Sequence, residues 1–229
     1  MSLNRSALIV TGLAGMLCLM GCARPRNAAP ETYCCSLEKA AVGALPSGWR
    51  VAQTNPTREM ARWEVLQDDA GGADRRVLGL VDSKNYDGTF NLAIAEDTSF
   101  RDLDLSVRVK AVSGTEDQGG GPIWRCRDEN NYYICRINPL ESNFRVYVVA
   151  GGKRRQLDSI KLELAAERWY VLRVRMVGDQ ITCWLDGEQK LTATDGTIPD
   201  AGRIGLWTKA DAVTSFDDLT AAPCELKPE

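Results

Sequence analysis

The chain has 229 residues, with 28 Lys and Arg against 31 Asp and Glu, and no histidine. That absence excludes Ser-His-Asp and Cys-His nucleophiles, histidine-ligated zinc and histidine-held haem, so any catalysis must use carboxylates, Lys, Tyr, Cys or a carboxylate-bound metal. A net charge of −3 without a long basic run argues against nucleic acid as a partner.

Arg5 is the only charge before a mostly apolar run, Ala7–Met20, which is too short and wrongly flanked to span a membrane. The run ends in Leu19-Met20-Gly21-Cys22, which resembles the lipobox of bacterial lipoproteins. The resemblance implies cleavage before Cys22 and a lipid on its sulfur. Several acyl chains hold stably at a bilayer, each buried methylene contributing about 0.8 kcal/mol. Ala23 stands where Asp would mark inner-membrane retention, so the expected location is the cell envelope, lipid-anchored, with the outer membrane favoured. Residues 1–21 read as the signal, 22–45 as a lipid-anchored tether and short N-terminal segment, and 46–224 as one domain.

Beyond the tether, Ser36–Leu45 is the only short helix candidate; the remainder reads as strands. The candidates are Arg62–Gln67, Arg76–Val81, Phe90–Ala95, Leu103–Val112, Pro122–Arg127, Tyr132–Asn138, Phe144–Ala150 and Lys153–Leu157, then Trp169–Val177, Gln180–Asp186, Glu188–Ala193, Arg203–Thr208 and Ser215–Thr220. Gly151-Gly152 and Asp186-Gly187 supply the positive φ angles of type I′ hairpin turns. Leu103, Leu105, Val107 and Val109 alternate with Asp104, Ser106 and Arg108, the pattern of a half-buried strand. About a dozen short strands without crossover helices predict an all-β, antiparallel sandwich.

The segment GGGPIWRCRDENNYYICRINP, residues 119–139, reads as a β-hairpin turning at Asp128-Glu129-Asn130-Asn131. An even-numbered loop puts Trp124, Cys126, Tyr133, Cys135 and Ile137 on one face, as core. Arg125, Arg127, Tyr132, Ile134 and Arg136 then share the other face. An odd-numbered loop dissolves that sorting. Two arginines on adjacent strands need anionic or hydrogen-bonding partners. Those partners are either nearby carboxylates and solvent or, alternatively, sugar hydroxyls or a uronic carboxylate, with Tyr132 or Trp124 offering an aromatic face. Asn138, Glu141 and Asn143 extend such a ligand-binding site.

Six cysteines remain after Cys18 and Cys22: Cys34, Cys35, Cys126, Cys135, Cys183 and Cys224. Cys126 and Cys135 can form a cross-strand disulfide or pack as two small apolar side chains. Cys34 or Cys35 can meet Cys224 if the first and last strands are neighbours. No CxxC pair occurs, which argues against a zinc knuckle.

Four stretches carry a family resemblance: SVRVKAVSGTEDQGGGPIWR, DENNYYICRINPLESNFRVY, RWYVLRVRMVGDQITCWLDGE and AGRIGLWTKADAVTSFDDL. From about Asp102 to Leu219 the chain resembles concanavalin A-like (laminin G-like) jelly rolls, and among them bacterial 3-keto-disaccharide hydrolase domains. The resemblance implies two curved antiparallel sheets, the concave one often used for carbohydrate. It also implies a structural calcium held by a carboxylate of the last strand, here Asp217 or Asp218; no other cofactor is implied. The Glu-x-Asp-x-x-Glu strand of laminarinase-type relatives is missing. The loop carboxylates Asp117, Asp128, Glu129, Glu141 and Asp195 show no spacing that forces the paired geometry of glycosidases. The expected function is carbohydrate binding on the concave sheet of a lipid-anchored protein. The alternatives are a glycoside hydrolase-like enzyme on 3-keto-disaccharides and a non-catalytic protein-interaction module.

Overall fold

The computed structural model describes residues 31–68 and 75–224. The described residues form strands and turns only. In chain order the strands are β1 (Tyr33–Cys34), β2 (Trp49–Thr54), β3 (Arg62–Gln67), β4 (Arg76–Asp82), β5 (Phe90–Phe100), β6 (Leu103–Ser113), β7 (Gly120–Asp128) and β8 (Asn131–Asn138). They continue as β9 (Asn143–Ala150), β10 (Lys153–Lys161), β11 (Trp169–Val177), β12 (Gln180–Leu185), β13 (Glu188–Thr194), β14 (Gly202–Lys209) and β15 (Val213–Pro223).

Two antiparallel sheets form a sandwich. One runs β13-β12-β11-β6-β15-β4-β3 with β1 added on β15; the other runs β10-β9-β8-β7-β14-β5-β2. Leu103, Leu105, Val107 and Val109 of β6 and Leu172, Val174 and Met176 of β11 point inward, against Trp124, Tyr133, Ile137, Phe144, Val146 and Leu206 of the second sheet. At about 25 cal/mol per Å² of apolar surface, this layer is the main stabilising term. The outer face of the first sheet is polar: Arg173 pairs with Asp104 and lies 4.7 Å over the Trp184 ring.

The second sheet hides residues on its outer face as well. Ala52, Phe90, Leu92, Ile94, Ile123, Cys126, Tyr132, Ile134, Val149 and Trp207 form a separate buried apolar cluster there. The first sheet packs against the opposite face of this sheet, and the face with this second cluster corresponds to the concave side of the jelly roll.

The two glycine turns form as expected, with positive φ at Gly151 (55°), Gly152 (75°), Asp186 (49°) and Gly187 (85°). Ser36–Leu45 is a run of turns and not a helix. The segment read as tether contributes β1, with Tyr33 opposite Ala221 and Cys34 opposite Thr220. Cys34 and Cys35 therefore lie beside residues 219–220 and not at Cys224.

Candidate functional site

The β7–β8 hairpin pairs Ile123 with Ile134, Trp124 with Tyr133 and Asp128 with Asn131, so β7 holds two extra residues between Trp124 and Asp128. The loop is even-numbered, but this bulge re-aims the side chains around it. Arg125 has φ 45°, a left-handed conformation that turns its side chain inward. Its Nε donates to the carbonyl of Arg101 at 2.6 Å, and its Nη1 to that of Ile198 at 2.9 Å. Its Nη2 reaches the Gly178 carbonyl at 2.7 Å and Asp102 Oδ1 at 3.1 Å. The guanidinium ties three segments of the sandwich together at one end. Burial lowers its pKa, and Asp102 opposes that shift. Arg125 is thus absent from the concave face, contrary to the alternation expected of a regular hairpin.

The same bulge separates the hairpin cysteines. Cys126 belongs to the concave cluster, Cys135 to the layer between the sheets, and both are free thiols. A cross-strand disulfide is ruled out in this geometry. Burial pushes the Cys126 thiol up to about 12.

Arg136, Asn138 and Glu141 do come together, with Tyr132 farther along the same face of β8. Arg136 is 1% exposed; its Nη1 donates to Asn143 Oδ1 at 2.7 Å. Its Nη2 donates to Glu141 Oε2 at 3.0 Å and to the Tyr147 hydroxyl at 3.2 Å. Arg145, directly opposite Arg136 across β8 and β9, shares Glu141 Oε2 at 3.2 Å. Burial would raise the Glu141 carboxyl, but hydrogen bonds from Asn143 and Arg136 and the charges of Arg136 and Arg145 hold it down at about 2. Asn138 Nδ2 donates to Asp117 Oδ1 at 3.0 Å, and Asn138 Oδ1 accepts from the Glu141 backbone at 2.9 Å. Lys209 Nζ lies 3.2 Å from Asp117 Oδ2. Asp117 is buried, and that burial raises its pKa against the pull of Arg136 and Lys209. Tyr132 shares a 2.7 Å hydrogen bond with the Thr54 hydroxyl, and burial raises its pKa.

Three further residues complete the face: Tyr147, Arg154 and Trp207. The Arg154 guanidinium lies 4.5 Å over the Tyr147 ring, 4.9 Å over Phe90 and 5.8 Å from Trp207. Two buried donors of this face have no acceptor, Arg136 Nε and Arg154 Nη1, while Trp207 Nε1 is directed at the Tyr132 hydroxyl. Buried donors almost always find partners, so two unpaired guanidinium nitrogens on one face offer a place for an outside acceptor. Counting across the Gly151-Gly152 turn gives the signal for Arg154 in sequence. A two-residue loop sets it opposite Val149, and thus on the face of Tyr147 and Tyr132.

Asp128, Asp195, Asp217 and Asp218 have structural partners. Asp128 accepts from the Asn130 backbone at 2.8 Å within the hairpin turn. Asp195 accepts from the Tyr133 hydroxyl at 2.7 Å and from Arg155 at 2.6 Å. Asp217 accepts from Arg75 Nε at 2.6 Å, Asp218 lies 3.2 Å from Arg75, and Arg108 stands 3.7 and 3.6 Å from the two. Two guanidinium groups already balance these carboxylates, so the donor set does not suit calcium, which needs six to eight oxygens. Among the described residues no group of three or more His, Cys, Asp or Glu could hold a metal ion. Cys22 lies outside the described residues.

Two curved antiparallel sheets with a polar-aromatic concave face define a jelly-roll sandwich of the kind found in carbohydrate-binding modules and glycoside hydrolases. Residues 43–221 match the family model described as 3-keto-alpha-glucoside-1,2-lyase-like domain, and the chain belongs to that family. A search of curated protein sequences gave no significant match. Among solved structures, the chain is similar to the carbohydrate binding module CBM66 from Bacillus subtilis, with 19% identity and a TM-score of 0.58 over 76% of this chain and 94% of that one. It is also similar to a β-glucanase of Bacillus licheniformis, with 14% identity and a TM-score of 0.52 over 80% and 95% of the two chains. At these identities the likeness is one of fold.

Proposed function

We propose that the concave face of the second sheet binds carbohydrate. The observation that carries this reading is the pair of orphaned donors, Arg136 Nε and Arg154 Nη1, beside the Tyr147 ring and on the face of the Asn138–Asp117 pair. Sugar hydroxyls both donate and accept, and would give each orphan an acceptor. The concave carbohydrate sites common in this fold support the same reading. Titration calorimetry against mono- and oligosaccharides tests it with wild type and Arg136→Gln, both checked for folding by thermal melting. A folded Arg136→Gln variant should bind about tenfold more weakly, the equivalent of 1.4 kcal/mol. Equal binding by the two would contradict this site.

The same chain is proposed to be anchored in the cell envelope through a lipid on Cys22, with Ala23 favouring the outer membrane. Support comes from Leu19-Met20-Gly21-Cys22. Labelled palmitate should enter the wild-type protein and not Cys22→Ser.

Asp117 favours a second reading, catalysis on 3-keto-disaccharides. It is a buried carboxyl of raised pKa on the same face, in a family described by a 1,2-lyase. Elimination across C1 and C2 needs a base for the C2 proton, which the adjacent ketone acidifies. The C1–O bond breaks as the double bond forms, and the departing oxygen takes a proton. Incubation with a 3-keto-disaccharide should then release free sugar in wild type and not in Asp117→Asn; no release by wild type rejects catalysis.

A further inference from the structure

We propose that the ligand of the concave face is an acidic glycan, and that Arg154 receives the carboxylate of a hexuronate unit. This rests on the carbohydrate-binding reading above. Around Arg154 the face carries the cations Arg136, Arg145 and Lys209 and the carboxylates Glu141 and Asp117; farther along it lie Arg203 and Arg50, the latter paired with Glu96. Glu141 is already shared by Arg136 and Arg145, and Asp117 is held by Lys209. Among the described residues no carboxylate forms an ion pair with Arg154. Its Nη1 is buried without an acceptor, and its guanidinium lies against the rings of Tyr147, Phe90 and Trp207.

The buried Nη1 of this cation has lost water, and Asp117 and Glu141 act on it without an ion pair. Aromatic faces offset only part of that. Burial accordingly depresses the Arg154 pKa. Nearby arginines of the sandwich contrast with it: Arg125 has Asp102 and Arg155 has Asp195. Neutral hydroxyls would give Nη1 an acceptor but leave the charge uncompensated. A planar carboxylate supplies both, in the geometry that matches a guanidinium fork. A carboxylate on Arg154 would stand beside the rings of Tyr147, Phe90 and Trp207, where the sugar ring that bears it can pack.

The experiment compares gluco-, galacto- and mannuronate oligomers with their methyl esters, which keep the sugar and remove the charge. Inorganic sulfate serves as a competitor. Wild type should bind at least one acidic oligomer about tenfold more tightly than its ester, as expected when a charge-assisted hydrogen bond replaces a neutral one. Arg154→Gln should reduce that ratio to about one, and Arg154→Lys should retain part of it. Equal affinity of acid and ester in wild type overturns the proposal while leaving carbohydrate binding in place. So does a preference that survives Arg154→Gln, and competition by sulfate as strong as by the oligomer would replace the hexuronate with a generic anion. Failure of every saccharide, acidic or neutral, rejects the concave-face reading itself.

Discussion

Arg125 and Arg136 are equally buried, at 1% exposure each, yet they differ in what surrounds them. Every nitrogen of Arg125 has an acceptor in another segment of the sandwich, whereas Arg136 keeps a free Nε facing the concave side. Removing Arg125 strands three carbonyls and Asp102, so Arg125→Ala should cost on the order of 3 kcal/mol or more in a urea titration. Arg125→Lys should recover little, because an ammonium cannot reach four acceptors in a fork. Glu141 makes a second prediction at this scale. Its folded pKa of about 2 lies below the ordinary 4.5, so the stability it contributes is present above that ordinary value. It is lost progressively as pH falls from about 4.5 toward 2. Glu141→Gln should flatten the dependence of the urea midpoint on pH in that window and leave the slope near neutrality unchanged.

At the scale of elements, most strands are legible in the sequence because their alternation and turn chemistry agree. Arg62–Gln67 and Trp169–Val177 coincide with β3 and β11, and both glycine turns sit where their positive φ angles are needed. The β7 bulge is not legible. Two extra residues with Arg125 in a left-handed conformation leave no mark in the apolar pattern, because Trp124 and Tyr133 still face the core. One trace does exist across the sheet. Gly202 of β14 meets the bulge so closely that a Cβ there would sit 2.5 Å from the Arg125 carbonyl carbon. Gly202→Ala should therefore destabilise by about 1–3 kcal/mol through overpacking. Gly196→Ala, whose added carbon meets nothing within 4 Å, should shift the denaturation midpoint little. Equal effects of the two would contradict a tight bulge.

Across the whole molecule, the two sheets divide the labour. The first closes the core and presents ion pairs outward, with Arg75 and Arg108 on Asp217 and Asp218 where the fold resemblance implies calcium. The second buries apolar side chains on both faces, and its concave face leaves Arg136 Nε and Arg154 Nη1 without acceptors. Fold class is legible from the rhythm of short strands and the lack of crossover helices. Part of the site is legible too: Arg136, Tyr132, Asn138 and Glu141 come from β8 alternation and the loop after it. Arg154, Tyr147 and Trp207 need the order of strands in the sheet, since β10, β9 and β14 come to one face only through tertiary pairing.

Backbone amide shifts recorded by NMR during titration with hexuronate oligomers and their neutral counterparts test the central claim most directly. Carbohydrate binding at the concave face predicts perturbations concentrated on β7 to β10 and β14, centred on Asn138, Tyr147, Arg154 and Trp207. Perturbations centred on β11 to β13, or none with any saccharide, would contradict it.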